Sequence, residues 1–291
     1  MEMLLQNLVN GITMGCVYAL MAVGLTIIFG VMDIPNFAHG QLYMLGGMFS
    51  FFAVSVGINF FAAVFLSALA VAILGIVFEK ICFRPVRMQS PIVSMVVAAG
   101  LAFIIEDLSV FFWGPHGKLT ITPYTNTVFE AFNIRVSTPR LIVVVWALIL
   151  LVALYWFIKR TIMGKQMRAV AEDKEVASLI GVNLNSVFSV TFALGCGLAA
   201  VSGGLMSEVF AMSPTIGLMP TLKAFCIVVM AGMGNIGGAI YAGLLLGLME
   251  TFGEVYIVGG IRDLFAFALV VIVLLIRKQI QVRRKWVDSS H

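Results

Sequence analysis

Gly30-Val-Met-Asp-Ile-Pro-Asn-Phe-Ala-His-Gly-Gln41 is polar and carries a proline, yet it sits between apolar segments at 8–30 and 42–57 with no long loop on either side. Irregular backbone near membrane depth is tolerated only where it is buried in protein or lines a cavity, because lipid offers no partner for its N–H and C=O groups. The stretch therefore reads as a break within the membrane. Asp33, Asn36, His39 and Gln41 then either line a translocation path or cap a broken helix.

The composition around it agrees. The 291 residues are 61% hydrophobic and 11% charged, with a mean hydropathy of +1.07, whereas ordinary globular domains carry about 25% charged residues. So little polar surface implies an all-α, polytopic membrane protein formed as one domain over residues 1–291. The net charge of +4 does not argue for a nucleic-acid partner, because the basic residues lie in loops beside the spans. Met1-Glu2-Met3 lacks the basic start of a cleavable signal peptide. Cys16, Cys82, Cys196 and Cys226 have no metal or redox spacing and read as apolar fillers.

Further apolar segments run over 60–81, 91–113, 141–158, 187–210, 222–233, 239–256 and 265–276, giving about eight or nine membrane or half-membrane helices. Gly11, Gly15 and Ala19 repeat every four residues, as do Ala239, Gly243 and Gly247. Such stripes let helices pack closely in lipid. The polar connection at 114–139 alternates at Leu119 and Ile121 and at Val128, Ile134 and Val136, which predicts short strands. Basic loops at Arg84 and Arg87, at 159–174 and in the tail 277–291 are expected in the cytoplasm, with the N-terminus and the 114–139 loop outside. A second Gly-rich break at 232–238, containing Asn235, matches the first in the other half. Paired breaks predict two pseudo-symmetric halves around a midplane path.

Intramembrane acids are functional candidates by default. The orientation places Glu106, Asp107, Glu208, Glu250 and Glu254 in the outer half or at its rim, with Glu250 the one acid that can reach the midplane, which weakens an ion-coupled reading. They serve there in ion coupling, in an acidic vestibule that meets substrate or a binding protein, or simply as interfacial residues facing water, the reading favoured for Asp107 and Glu254. The sequence has no Gly-x-x-x-x-Gly-Lys-[Ser/Thr] loop, nucleophile elbow, metal cluster or dinucleotide fingerprint. No catalytic residue, metal site or cofactor is expected of the chain itself, and energy must come from elsewhere.

Residues 164–183 offer a point of entry. They read as a polar surface helix with Met167, Val170, Ala177 and Ile180 on one stripe and Arg168 and Glu172 at i, i+4. Gly164 precedes it and Gly181 closes it. It is either a solvated connector or a docking helix for a cytoplasmic partner.

Three blocks together resemble the branched-chain amino acid ABC importer permeases. The first is Gly15-x-x-Tyr-Ala-Leu20 with Gly24-Leu25, Ile28-Phe-Gly-Val31 and Asn36-Phe-Ala-His-Gly40. The second is Arg168-Ala169, Ala171, Asp173, Ala177 and Gly181-Val-Asn183. The third is Lys223-Ala-Phe225 and Gly232-x-Gly-Asn-Ile-Gly-Gly-Ala239 with Gly243, Gly247 and Glu250. Two departures stand out: Gln41 lies where the family commonly has an acid, and Glu106 where an amide is usual.

The resemblance implies a type II-like importer permease in a bacterial inner membrane, paired with a second homologous permease or a copy of itself. Two cytoplasmic ABC ATPase subunits would supply ATP and Mg, and an extracytoplasmic solute-binding protein would deliver the solute. That solute would be a branched-chain or hydrophobic amino acid, or a small relative such as urea or an amide. Coupling to the ATPases falls to Gly164, Arg168, Ala169, Glu172, Asp173, Ala177 and Gly181, with the helix at 165–180 as a rigid lever. The path falls to Asn36, Phe37, His39, Gln41, Asn235, Glu106 and Glu250, and helix packing to Gly11, Gly15, Gly243 and Gly247. The alternatives are an ion-coupled carrier using Glu106 or Glu250, or a passive channel for a small neutral solute.

Overall fold

The computed structural model describes residues 2–87, 89–131 and 134–256, with 268 and 271. Apart from those two residues, the span expected at 265–276 and the basic tail at 277–291 lie outside the described residues.

Helix α1 (Glu2–Met32) is 31 residues long, roughly 46 Å at 1.5 Å per residue, and so exceeds a ~30 Å hydrocarbon layer. It ends for a local reason. Asp33 adopts a left-handed φ of 58°, rare for a residue with a side chain, and Pro35 two residues on disfavours helical backbone at residue 34. After the break comes α2 (His39–Ser55), only 17 residues. Asn59 caps α3 (Phe60–Phe78) by accepting from the Phe61 N–H at 3.0 Å. A π-helical turn (Glu79–Phe83) leads to the loop before α4 (Pro91–Trp113). Then follow β1 (Val128–Ala131) and β2 (Ile134–Ser137), an antiparallel hairpin pairing Phe129 with Val136. Leu119 and Ile121 join no strand.

Helix α5 (Thr138–Arg160) returns through the membrane to α6 (Ile162–Glu172) and α7 (Lys174–Leu179). Next is α8 (Leu184–Met206), a segment at 207–217 that closes in a 3₁₀ turn (Pro214–Gly217), α9 (Leu218–Ala231) of 14 residues, and α10 (Ile236–Tyr256). Among the described residues seven helices are long and apolar enough to cross a membrane, α9 only when the 3₁₀ turn before it is counted with it (Pro214–Ala231). Helix α2 falls just short of that length.

The element order repeats. A long helix, a non-helical break, a short helix and a long helix occur as α1–α2–α3 and again as α8–α9–α10. The two sets run oppositely, because α1 ends beside α7 while α8 begins there. Helix α1 is the core, 83% buried over its most apolar window, against 33%, 22% and 28% for α3, α4 and α5, which present apolar faces to lipid. Its stripe packs on that of α10: a Cβ on Gly15 would stand 2.8 Å from the Leu244 Cα, and one on Gly247 would stand 2.2 Å from the Gly15 N. Gly11 and Gly243 make equally close approaches to Leu248 and Ala19. The two backbones therefore touch where any larger residue would force them apart.

Two sequence expectations change. The break at 232–238 is a tight turn at the α6–α7 end of the molecule, where Gly234 lies against Gly30. The true partner of the first break is 207–217, which carries no proline until residue 214 and so escaped notice. The helix expected at 165–180 is two helices, parted at Asp173. That residue's extended backbone (φ −155°, ψ 114°) ends α6, and its carboxylate caps α7 by accepting from the N–H groups of Glu175 and Val176. The kink re-phases the stripe. Met167, Val170 and Ala177 remain buried, but Ile180 is 71% exposed.

Candidate functional site at the meeting of two short helices

The first turn of α2 lies inside the membrane. His39 Nε2 donates to the Met21 carbonyl at 3.0 Å, eleven residues or roughly 16 Å before the end of α1. The first turn of α9 lies at the same depth: the Gly40 N–H donates to Thr221 Oγ1 at 2.9 Å, and a Cβ on Gly40 would fall 1.9 Å from the Gly217 carbonyl. Two helix N-termini thus converge partway across the molecule. The first N–H groups of α2 are satisfied, His39 by the Asn36 carbonyl, Gly40 by Thr221, and Gln41 and Leu42 by the Ala38 carbonyl, while each helix start carries a partial positive charge. One helix leads from there toward the hairpin end and the other toward the α6–α7 end.

The break supplies the polar groups. Asn36 is fully buried, and its Oδ1 accepts from the Ala38 N–H at 3.1 Å, closing the turn into α2. Its Nδ2, His39 Nδ1 and Gln41 Oε1 have no hydrogen-bond partner among the described residues. Such groups are costly in a low-dielectric interior, so their gathering at one depth marks a place built for something other than packing. Gln41 Nε2 donates to Glu106 Oε2 at 2.9 Å. The two positions that departed from the family resemblance are therefore one contact. Phe37 stacks on Phe225 of α9, with centroids 4.7 Å apart.

Beside this cluster lies a buried ion pair. Lys223 Nζ stands 3.0 Å from Glu250 Oε1, and Tyr18 donates to Glu250 Oε2 at 2.8 Å. Lys223 and Glu250 are 6% and 0% exposed, and the triad ties α9 to α1 and α10. This corrects the depth expected for one acid: Glu106 sits near the converging N-termini, not in the outer half or at its rim, while Glu250, the one acid expected to reach the midplane, lies beside them. Glu208 is buried at the hairpin end and accepts from Thr122 and Thr125, the latter at 3.1 Å. Asp107 and Glu254 are exposed.

Of the expected path residues, the structure brings together Asn36, Phe37, His39, Gln41 and Glu106, with Glu250 alongside. It separates Asn235, an exposed cap of α10 whose Oδ1 accepts from the Gly238 N–H at 3.0 Å. Sequence reasoning gave no site role to Lys223 and Tyr18, though both stand in the blocks that carry the family resemblance, and passed over Thr221. Lys223 was detectable, since a lone lysine within an apolar segment needs a partner; nothing local marks the other two.

The residues expected to meet an ATPase gather at the α6–α7 end. Arg168 donates to the Ile158 carbonyl rather than pairing with Glu172, which is exposed. Gly164 lies within α6, where a Cβ would stand 2.3 Å from that same Ile158 carbonyl. Ala169 is half-buried, and Gly181 takes a φ of 86° where the chain turns toward α8. Lys174 Nζ donates to Asp33 Oδ2 at 2.6 Å and to the Met32 carbonyl at 3.1 Å. The start of α7 is thereby fastened to the residue where the first break begins.

Residues 7–274 match the family described as branched-chain amino acid transport system / permease component. The high-affinity branched-chain amino acid transport system permease protein LivH of Escherichia coli (strain K12) is 32% identical over 286 residues, covering 94% of this chain and 93% of the relative. The corresponding permease protein BraD of Pseudomonas aeruginosa is 33% identical over 288 residues, 94% of each chain. Among solved structures, PsaBC from Streptococcus pneumoniae in complex with Fab aligns with a TM-score of 0.50 at 13% identity, over 94% of this chain and 91% of that one. This last likeness concerns the fold alone.

Proposed function

The chain belongs to the permease family of branched-chain amino acid transport systems, and we propose that it forms one half of an ATP-driven path importing branched-chain or similar hydrophobic amino acids across a bacterial inner membrane. It is a multi-pass membrane component of a transport system. The ion-coupled and passive-channel alternatives gain no support from its relatives.

One observation carries the mechanism: two short helices of opposite direction start at the same depth, at Gly40 and Gly217. A solute carboxylate there meets two helix N-termini, which favour anions. Its ammonium meets Glu106, and an aliphatic side chain finds the Phe37–Phe225 stack. A second permease of the same family completes the path on the open side of α9, where Leu218 and Met219 are 60% and 44% exposed.

The ATPases dock on α7. Val176, Leu179 and Ile180 are 53%, 84% and 71% exposed, an apolar patch of the kind a partner covers. Movement of α7 reaches the path through Lys174 and Asp33, the first residue of the break leading to α2. Glu172 and Asp173 stand at the kink between α6 and α7 and face the same partner. With the basic loops cytoplasmic, the hairpin end meets the solute-binding protein outside.

The test is reconstitution in liposomes with ATPase subunits and binding protein, measuring ATP-dependent L-leucine uptake. Uptake that persists without the ATPase subunits would overturn the ATP-driven reading. Unchanged uptake after replacing Glu172 and Asp173 by Ala would remove the coupling role of the kink.

A further inference from the structure

A second polar site lies at the hairpin end, away from the converging helix starts. Two cavities meet there across shared walls, Asn10 and Arg140. One is about 260 Å³ and is lined by Asn7, Asn10, Thr13, Arg140, Thr251 and Glu254, from the outer ends of α1, α5 and α10. The other is about 320 Å³ and is lined, besides the shared pair, by Val9, Val128 and Val136, with Gln6 and Ser137 at its edge. Each is close to the lower end of the roughly 300–1,000 Å³ typical of small-molecule sites. A guanidinium and a carboxylate thus edge the first cavity, and three valines line the adjoining one on the other side of Arg140. Arg140 is held in place by donating to Asn10 Oδ1. Asn7 is 7% exposed, and its Nδ2 has no hydrogen-bond partner among the described residues.

We propose that these joined cavities bind a free aliphatic α-amino acid, its carboxylate on Arg140, its ammonium on Glu254 and its side chain against Val9, Val128 and Val136. Opposite charges in one pocket select a zwitterion over either half-molecule, and a guanidinium offers a carboxylate two parallel donors. The site is separate from the path. It lets extracytoplasmic amino acid act on the permease without passing through the binding protein, at the ends of α1 and α10, the two helices that hold the path's core. The inference rests on the amino-acid reading above.

The experiment is isothermal titration of the assembled transporter in lipid nanodiscs, without ATP or binding protein. The probes are L-leucine, 4-methylpentanoate (no ammonium) and 3-methylbutylamine (no carboxylate). Leucine is expected to bind at least tenfold more tightly than either analogue. Glu254→Gln weakens leucine at least tenfold but leaves 4-methylpentanoate unchanged. Arg140→Gln abolishes binding of both at the outer site, leaving only the leucine component that Glu106→Gln removes from the path, and Arg140→Lys restores part of the affinity. Glu254 lies at the exposed end of α10, so its variant decides the matter if Arg140→Gln does not assemble. No leucine binding, or equal affinity in wild type and both variants, overturns the site. Should that happen while ATP-driven leucine uptake stays intact, only the outer site falls. Failure of leucine uptake with wild-type protein falls instead on the substrate reading.

Discussion

Helices α2 and α9 start from the same point and have opposite surroundings. Helix α2 is enclosed: His39 through Met48 are buried without interruption, and its polar atoms contact α1, α4 and α9. Helix α9 is enclosed on one face only. Thr221, Ala224 and Ile227 are buried there, while Leu218, Met219 and Val229 are 60%, 44% and 36% exposed. Its one charge, Lys223, turns inward to Glu250 and Tyr18. Interlocked cores resist gradual deformation. The contrast fits the proposal that α2 belongs to the frame and that the open face of α9 meets a second permease.

The strongest way to break this contrast is Gly40→Ala. Its Cβ would need to occupy space 1.9 Å from the Gly217 carbonyl, and neither backbone can yield locally. Loss of the monodisperse folded species in size-exclusion chromatography is expected. Gly217→Ala is the milder counterpart, because the first atoms its Cβ meets, at 2.5 Å, belong to the Gln41 side chain, which can rotate. That variant should fold and lose uptake along with the Gln41–Glu106 contact. Equal behaviour of the two would refute the frame assignment.

Next in size is Lys223→Met. Removing one member of a buried pair strands the other charge, at a cost of about 3–5 kcal/mol. A thermal-unfolding midpoint well below wild type is expected, with much of the loss recovered in Lys223→Met/Glu250→Leu. A double variant no more stable than the single one would mean that the triad does more than hold α9 in place.

Glu106→Gln separates solute chemistry from packing. The half-buried side chain keeps a hydrogen-bond acceptor for Gln41, so stability should change by less than about 1 kcal/mol, while leucine uptake falls at least tenfold. Wild-type uptake would remove Glu106 from the path. The smallest stability effect belongs to Asp33→Asn, since Asn tolerates left-handed backbone and an exposed ion pair contributes about 0–1 kcal/mol. Folding should be normal, and ATP hydrolysis should continue with several-fold less uptake per ATP. Unchanged coupling would detach Lys174–Asp33 from the transmission route.

Much of the molecule was legible in the chain because the bilayer enforces it. Span lengths, the small-residue stripes at Gly11–Gly15 and Gly243–Gly247, the hairpin residues Val128 and Val136, and the break at Pro35 all follow from rules acting within a few residues. Asn36, His39 and Gln41 could be singled out because polar groups inside an apolar run need a reason. The second break was missed because 207–213 looks like the frayed end of a span, and its irregular course is set by distant partners: Met212 pairs with Lys118, and Ser207 with Thr120. Asp173 likewise gave no periodic warning of the kink, since a side chain that caps one helix also suits a polar surface helix.

By itself, then, the sequence determined a multi-pass helical membrane protein with an interrupted first half, since hydropathy and backbone satisfaction are local constraints, and its motif blocks carried the resemblance to a permease family. Only the tertiary structure decided that the interruption is matched at 207–217, that Gln41 and Glu106 face each other across 65 residues of chain, and that Lys223 finds Glu250 and Tyr18. Those pairings depend on which helix faces meet. In lipid that choice is made by close backbone approach and by the need of buried charges for partners, neither of which has a fixed spacing along the chain.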